Sequence, residues 1–193
     1  MTVGVLAIQG DFAAHIRALE DIGADAIEVR SAAELDKIDA LIIPGGESTT
    51  MMKFIEEENL AVPINNFASA GQPVFGTCAG AIVLARDVYN PPQASLELID
   101  IGVERNGYGR QVDSFIAEAD TTFDGGPLEA VFIRAPRITR TGSEVEILAR
   151  CNDEPVLARQ KNILVATFHP ELTDDHRAHQ LLLEMIRAST DGS

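Results

Sequence analysis

Pro73-Val74-Phe75-Gly76-Thr77-Cys78-Ala79-Gly80-Ala81-Ile82-Val83-Leu84-Ala85 is the stretch from which the fold can be read. Residues 73–76 make an apolar run suited to a strand buried on both faces, and 79–85 reads as a helix. Between them, glycines stand two positions before and two positions after Cys78. Such glycines permit a sharp strand-to-helix turn in which strand and helix approach closely. The turn holds its central side chain out at the end of a sheet.

Three similar units precede this one. Residues 3–8 form an apolar run, Gln9-Gly10-Asp11 turns the chain, and Phe12, Ile16, Leu19 and Ile22 then recur at helical spacing, with Gly23 as the stop. Residues 26–29 read as a strand, and Ser31 with Glu34 forms a capping box for a short helix. A third strand at 40–43 is cut off by Pro44-Gly45-Gly46, and 49–59 is helical in pattern. Four strand–helix alternations predict a parallel sheet with helices on both faces. From Leu98 the rhythm changes. Strands are expected at 99–103, 115–119, 130–133, 145–149, 156–159 and 163–168 with turns between them. This predicts antiparallel additions to the sheet edge or a small second sheet. A last helix over 174–188 carries Leu181, Leu182, Met185 and Ile186 on its apolar side, and 189–193 is expected to be a fraying polar tail. The expected fold class is α/β: one domain of three layers, a mostly parallel central sheet flanked by helices, with additional antiparallel strands.

Composition narrows the partners. A length of 193 residues suits one domain. With 30 acidic against 15 basic side chains, the formal charge of -15 excludes nucleic acid and anionic membrane as main partners, since both need a basic footprint. No apolar run approaches the roughly 18 residues of a membrane span. Met1-Thr2-Val3-Gly4-Val5-Leu6 lacks a basic leader and reads as a strand instead of a signal peptide. Two well-separated cysteines, Cys78 and Cys151, are too few for a disulfide scaffold and point to a reducing, cytoplasmic setting. Glu56-Glu57-Glu58 reads as a solvated helix face.

In open parallel sheets, ligands gather at the carboxyl ends of the strands. Four such ends carry unusual sequence here: Gln9-Gly10, Gly45-Gly46-Glu47-Ser48, Gly76-Thr77-Cys78-Ala79-Gly80 and His169-Pro170-Glu171. At a turn of the kind around Cys78 the sulfur is exposed, the helix N-terminus beyond favours negative charge, and nearby backbone N–H groups can serve an oxyanion. From the turn alone, a small buried cysteine reads equally well. His169 shifts that balance. It follows the apolar run 163–168 and should emerge at the same sheet edge as Cys78, and a Cys–His pair needs only spatial adjacency. Pro170 stiffens the exit, and Glu171 is placed to orient the imidazole as the third member of a triad. His15, His176 and His179 lie in helical stretches and read as surface residues. Cys151 ends a strand without flanking glycines and reads as structural. No Cys or His spacing resembles a zinc site, so no metal is expected. The Gly45-Gly46-Glu47-Ser48 turn lacks the lysine of a phosphate loop. Its N–H groups can face an oxyanion while Ser48 caps the next helix.

Together these patches resemble the class I (triad) glutamine amidotransferases, and within them the branch formed by the glutaminase subunits of pyridoxal 5′-phosphate synthase. The resembling stretches are Gly4-Val5-Leu6-Ala7-Ile8-Gln9-Gly10-Asp11-Phe12, Pro44-Gly45-Gly46-Glu47-Ser48-Thr49, Phe75-Gly76-Thr77-Cys78-Ala79-Gly80, Arg105-Asn106-Gly107-Tyr108-Gly109-Arg110-Gln111, Phe132-Ile133-Arg134-Ala135-Pro136 and Phe168-His169-Pro170-Glu171-Leu172-Thr173. The resemblance implies a flavodoxin-like sheet. It implies Cys78 as nucleophile with His169 and Glu171, and Gly46, Glu47, Ser48, Arg105, Ile133 and Arg134 as the residues that bind L-glutamine. Arg105 and Arg134 suit an amino acid's carboxylate, although surface salt bridges in an acidic protein are the plainer reading of both. Many class I relatives carry Gln two residues after the second elbow glycine; Ile82 stands there, as an apolar residue does in the pyridoxal branch.

The resemblance further implies a partner: a synthase subunit, built as a dodecameric core with glutaminase subunits docked around it, that consumes the ammonia. Pyridoxal 5′-phosphate would be the product of that assembly and not a cofactor, and no cofactor is expected. The Gly45-Gly46 pair would let a peptide unit flip on docking, leaving the isolated chain nearly inactive. Three other readings remain: a glutaminase subunit for another acceptor, of the imidazole glycerol phosphate synthase type; a Cys–His hydrolase or peptidase of similar fold; and a non-enzymatic binding module.

Overall fold

The computed structural model describes residues 1–105 and 114–191. Its first half runs β1 (Thr2–Leu6), α1 (Phe12–Asp21), β2 (Asp25–Val29), α2 (Ala32–Leu35), β3 (Ala40–Ile43), α3 (Ser48–Glu57), α4 (Ala61–Ser69), β4 (Val74–Thr77) and α5 (Ala79–Leu84). The second half is mostly strand: β5 (Ala85–Tyr89), β6 (Ile99–Glu104), β7 (Ser114–Thr121), β8 (Leu128–Ile133), β9 (Arg137–Thr141), β10 (Glu146–Cys151), β11 (Glu154–Gln160) and β12 (Ile163–Ala166). A 3-10 turn at Pro170–Leu172 and α6 (Arg177–Asp191) follow.

Nine strands join in the order β2-β1-β3-β4-β12-β11-β10-β7-β8. The pairs from β2 to β12 are parallel, and those from β12 to β8 are antiparallel. The parallel part has the flavodoxin-like doubly wound order. Its inner strands β3, β4 and β12 are buried along their whole length because both faces are covered, whereas the edge strand β2 buries only Val29, and alternate residues feed two cores. Leu41, Ile43, Val74 and Val165 join Met51, Ile55 and Ile64 of α3 and α4 on one side. Ile42, Phe75 and Leu164 join Leu19 of α1 and Leu182 and Ile186 of α6 on the other.

Both arrangements expected after residue 98 occur. β11, β10, β7 and β8 extend the main sheet, while β5, β6 and β9 form a separate three-stranded sheet. Ile99, Ile101, Val103 and Ile138 seat that small sheet on the first core.

Several elements differ from the sequence expectation for local reasons. Helix α4 was hidden by Pro63, which stands in its first turn, where a missing N–H breaks no intrahelical bond. Strand β9 reads Arg-Ile-Thr-Arg-Thr and buries only Ile138, so its pattern is too polar to register. β5 starts at Ala85, directly where α5 stops, inside a run that reads as one helix. Glu47, not Ser48, caps α3: its carboxylate accepts from the N–H groups of Thr49 at 3.1 Å and Thr50 at 2.7 Å. The last helix begins at Arg177 and passes residue 188, where the polar tail was expected, to reach Asp191. The hydroxyls of Ser189 and Thr190 donate back to the carbonyls of Ile186 and Arg187 at 2.8 Å each, which satisfies acceptors that the helix end leaves open. Gly192 and Ser193 of that tail lie outside the described residues. So do 106–113, which include most of the Arg105–Gln111 motif. The capping box at Ser31 and Glu34 is present. Among the described residues, no helix is long and apolar enough to cross a membrane.

The Cys78 turn depends on contact between backbones. A Cβ on Gly80 would lie 1.9 Å from the carbonyl oxygen of Ile43, and one on Gly76 would lie 2.6 Å from Gly80. Relief at Gly80 would require β3 and α5 to separate. Gly80→Ala should therefore destabilise the chain by about 3 kcal/mol, at the upper end for overpacking, and a urea unfolding midpoint measures it.

Candidate active site

Cys78 sits between β4 and α5 with φ 48 and ψ -104, a conformation that a residue with a side chain adopts only under constraint. The constraint is visible. Its N–H donates to Ala166 O of β12 at 2.8 Å, and the glycine contacts hold α5 against β3. The side chain is nearly covered, and Sγ is 3.7 Å from the carbonyl oxygen of Ile133.

His169 leaves the end of β12 and is pinned by its own N–H, which donates to Val131 O of β8 at 2.8 Å. Its ring lies across Gly45 from Cys78. A Cβ on Gly45 would be 2.5 Å from His169 Cε1 and 3.5 Å from Cys78 Cβ, so only glycine lets the two side chains flank that backbone. Nδ1 of His169 is 2.7 Å from Glu171 Oε1, and the Glu171 side chain is fully buried in the 3-10 turn. Burial disfavours the charged ring, but hydrogen bonding and charge from Cys78 and Glu171 outweigh it and raise the His169 pKa to about 10. The ring is therefore ready to exist as an imidazolium beside sulfur.

Beside these groups opens a cavity of about 570 Å³. Cys78, His169, Gly46, Glu47, Ser48, Arg105, Ile133 and Arg134 all line it, as do Gly10, Asp11 and Ile82. Of the residues proposed from sequence, only Glu171 does not, because it stands behind His169. Glu47 is half-exposed. Burial tends to raise its pKa, but hydrogen bonds from Thr50 and Thr49 hold it below the ordinary carboxylate value. Arg105 is largely covered, and its Nη2 donates to Glu47 Oε1 at 3.2 Å and Thr49 Oγ1 at 3.0 Å. It is thus an anchored cation at the cavity wall, where a free surface salt bridge was the plainer expectation. Ser48 is buried and its hydroxyl donates to Gln93 at 2.9 Å. Arg134 is exposed at the rim with φ 45, again a constrained backbone.

The structure corrects the surface reading of three histidines. His15 and His179 are fully buried, and His15 Nδ1 lies 2.9 Å from His179 Nε2. His176 is mostly covered and 3.8 Å from Asp21. The signal was present in the spacing. His15 stands four residues before Leu19, and His179 three before Leu182 and seven before Ile186, so both lie on the apolar stripes of their helices. Two residues of the Gln9-Gly10-Asp11 turn, to which the sequence assigned no individual role, also reach the site. Gln9 Nε2 donates to Glu47 O at 2.8 Å and ties the first strand end to the Gly46 turn. Asp11 Oδ2 is 4.0 Å from His169 Nδ1. Asp11, His169 and Glu171 could together offer a cation three ligand atoms, but the nitrogen used would be the one His169 shares with Glu171. Cys151 is buried, and burial raises its thiol pKa, which fits the structural role expected of it.

A thiol on a strained turn, an imidazole hydrogen-bonded to a buried carboxylate and a cavity lined in part by Arg105 and Arg134 are the groups that acyl transfer from a small amide bearing a carboxylate would use. The model of the SNO glutamine amidotransferase family matches residues 5–188. The chain belongs to that family. It is 51% identical over 187 residues to the pyridoxal 5′-phosphate synthase subunit PdxT of Thermosipho africanus, covering 97% of this chain and 100% of that one. It is 50% identical over 188 residues to PdxT of Bacillus licheniformis, covering 96% and 95%. A solved glutamine amidotransferase structure, 46% identical, superposes with a TM-score of 0.91 over 96% of this chain and 98% of the other. Family membership makes the chain a glutamine amidotransferase, the class whose acyl donor is glutamine.

The raised His169 value has a consequence for stability. A histidine whose pKa rises on folding stabilises the fold fully below its unfolded value and loses that contribution as pH climbs through the folded one. The stability advantage of the wild type over His169→Asn should be greatest below pH 6.5 and fade as pH approaches about 10. Urea unfolding across that range measures it; an advantage that grows with pH would contradict the assignment.

Proposed function

We propose that this chain is the glutaminase subunit of a pyridoxal 5′-phosphate synthase, hydrolysing L-glutamine with Cys78, His169 and Glu171 and passing ammonia to a synthase partner. The observation that carries the reading is the meeting of Cys78 and His169 at the floor of a cavity walled by Arg105 and Arg134. The substrate's α-carboxylate pairs with the guanidiniums. Glu47, Ser48, Gly46 and the backbone of Ile133 frame the rest of glutamine.

Sγ of Cys78, its proton transferred to His169, attacks the side-chain amide carbon, and the carbonyl electrons move onto oxygen. N–H groups of the Gly45-Gly46 turn and of the elbow serve the resulting oxyanion. His169 gives its proton to the amide nitrogen, the C–N bond breaks and ammonia leaves. Water then loses a proton to His169 and attacks the thioester carbon. The C–S bond breaks, glutamate departs and the sulfur recovers the proton. Throughout, Glu171 holds the imidazole in one orientation and stabilises its charged form.

Ammonia must stay unprotonated to act as a nucleophile, so it needs a route shielded from bulk water. The synthase subunit supplies this, as a dodecameric core with glutaminase chains docked around it. Pyridoxal 5′-phosphate leaves that assembly as product and serves no role as cofactor here. Gly46 has φ 145, which glycine tolerates and other residues do not, so its peptide unit can turn over when the partner docks. Turnover by the isolated chain is accordingly low.

Covalent labelling by a glutamine-mimicking electrophile, with and without the synthase, tests the reading. Cys78 should be the labelled residue, and labelling should quicken on docking. Cys78→Ala should lower glutamine hydrolysis at least about 1000-fold. Incorporation of ammonia by an imidazole glycerol phosphate-type synthase, and not by the pyridoxal one, would assign the chain to another acceptor. Arg134→Ala should raise KM for glutamine about tenfold or more with a smaller change in kcat, measured with the complex.

A further inference from the structure

The triad is backed by polar groups that the reaction above does not use. His15 on α1 and His179 on α6 do not line the cavity and are fully buried. Nε2 of His15 is 3.0 Å from Thr77 Oγ1 and 3.3 Å from Glu171 Oε2. Thr77 is the residue just before the nucleophile, and it too is fully buried. Glu171 uses Oε1 for His169, while its Oε2 is buried with no hydrogen-bond partner. A buried carboxylate oxygen without a donor is costly. His15 Nε2 is the nitrogen set beside it.

We infer that His15, held by His179, is a positioning residue for the triad: its Nε2–H, shared between Thr77 and Glu171, fixes the carboxylate that orients His169. The proposal rests on the glutaminase reading above and names a residue through which that reaction is tuned.

The proton arrangement follows from counting donors. Burial, then His179 and His169, push the His15 pKa well down, and burial, then His176, lower that of His179 to about 3, so both rings are neutral with one N–H each. Suppose His15 carried its proton on Nδ1. Its Nε2 lone pair would then face Glu171 Oε2, and His179 would bury an N–H at Nδ1, an atom with no partner. With both protons on Nε2, His179 donates to His15 Nδ1 at 2.9 Å and His15 donates toward Thr77 and Glu171. His179 Nδ1 is then a bare acceptor nitrogen, which costs less to bury than an orphaned N–H donor. Hydrogen bonds then run in one direction from His179 through His15 to Glu171, and Glu171 accepts again from His169.

The groups facing this network are His169 and Glu171 after β12, Thr77 of β4, and His176, whose ring centroid is 6.3 Å from that of His179. Asp11 faces it as well, with Oδ2 4.0 Å from His169 Nδ1 and a carboxylate oxygen within 4.8 Å of one of Glu171.

The test compares His15→Leu, His15→Gln and His15→Asn in the full chain bound to its synthase. A glutamine amide reaches the Nε2 position, whereas an asparagine amide reaches only the Nδ1 position. His15→Leu should lower kcat about tenfold to a hundredfold, the range typical of outer partners that orient a ligating group, with KM unchanged within about twofold. His15→Gln should recover most of the loss and His15→Asn little of it. In nitrogen-15 NMR of the full chain, His15 and His179 should both be neutral with the proton on Nε2. The His169 titration midpoint should fall by about one unit in His15→Leu and stay near the wild-type value in His15→Gln. An unchanged kcat and midpoint in His15→Leu would overturn the proposal, as would a loss in His15→Gln equal to that in His15→Leu. Should His15→Leu fail to fold, the Gln and Asn variants decide the matter, and equal activity and titration in those two overturns it. If the wild type hydrolyses no glutamine, the functional reading fails, while the tautomers and the His169 titration still decide the role of His15.

Discussion

Val74 pairs with Ile163 and Thr77 with Ala166, and this parallel register between β4 and β12 fixes where sulfur and imidazole can stand. Both strands stop level with each other, so the chain leaves them at one edge of the sheet. The Cys78 N–H adds one more rung by donating to Ala166 O. Strand side chains alternate between faces, so a slip of one residue would send Phe75 and Leu164 into the wrong core. The hydrophobic pattern of two buried strands therefore protects the register that the chemistry needs. His169 receives a second restraint from the far edge of the sheet, where Val131 O of β8 accepts its N–H. The antiparallel extension has to curl back over the parallel part to make that bond. Stacking of Phe115 on Phe132 at 4.6 Å and the edge contact of Phe132 with Phe168 at 6.0 Å hold it there. By the same curl, Ile133 and Arg134 arrive at the cavity.

Much of this was legible in sequence because it depends on local patterns. Buried parallel strands are short apolar runs, and four of them ended in glycine-rich or otherwise unusual turns; β3 matches its expected span residue for residue. Cys78, His169 and Glu171 could be singled out because strand ends at the carboxyl edge converge in any sheet of this topology. What stayed hidden depends on tertiary context. Pro63 suppresses a helical pattern it does not in fact break. Ser48 looked like the cap because it is a good capping residue, but the Glu47 carboxylate reaches the same N–H groups and also Arg105. Arg105 itself looked like surface charge, since nothing in its neighbours reveals that Glu47 and Thr49 will anchor it against a cavity.

His15 and His179 show the limit most clearly. Each occupies an apolar position of an amphipathic helix, and in a single sequence an occasional polar residue on such a stripe is unremarked. Their meaning appears only when α1 and α6 pack on the same face of the sheet, behind β4, and bring two rings and the Glu171 carboxylate together from three distant segments. Buried polar groups of this kind take their partners from one another where the packing brings them within reach.

The chemical type of the residue behind Glu171 matters as much as its position. A carboxylate sealed from water must be held by donors, and an arginine would do so most strongly. It would also place a full positive charge near the carboxylate and offset the negative field that steadies imidazolium at His169. Low local dielectric would magnify that loss. A neutral imidazole donates a hydrogen bond while adding no net charge, so the carboxylate keeps its field for His169. Burial, then His179 and His169, disfavour protonation of His15. Two buried histidines where one arginine could stand would thus suit an acid that has to be kept rigid and negative at the same time.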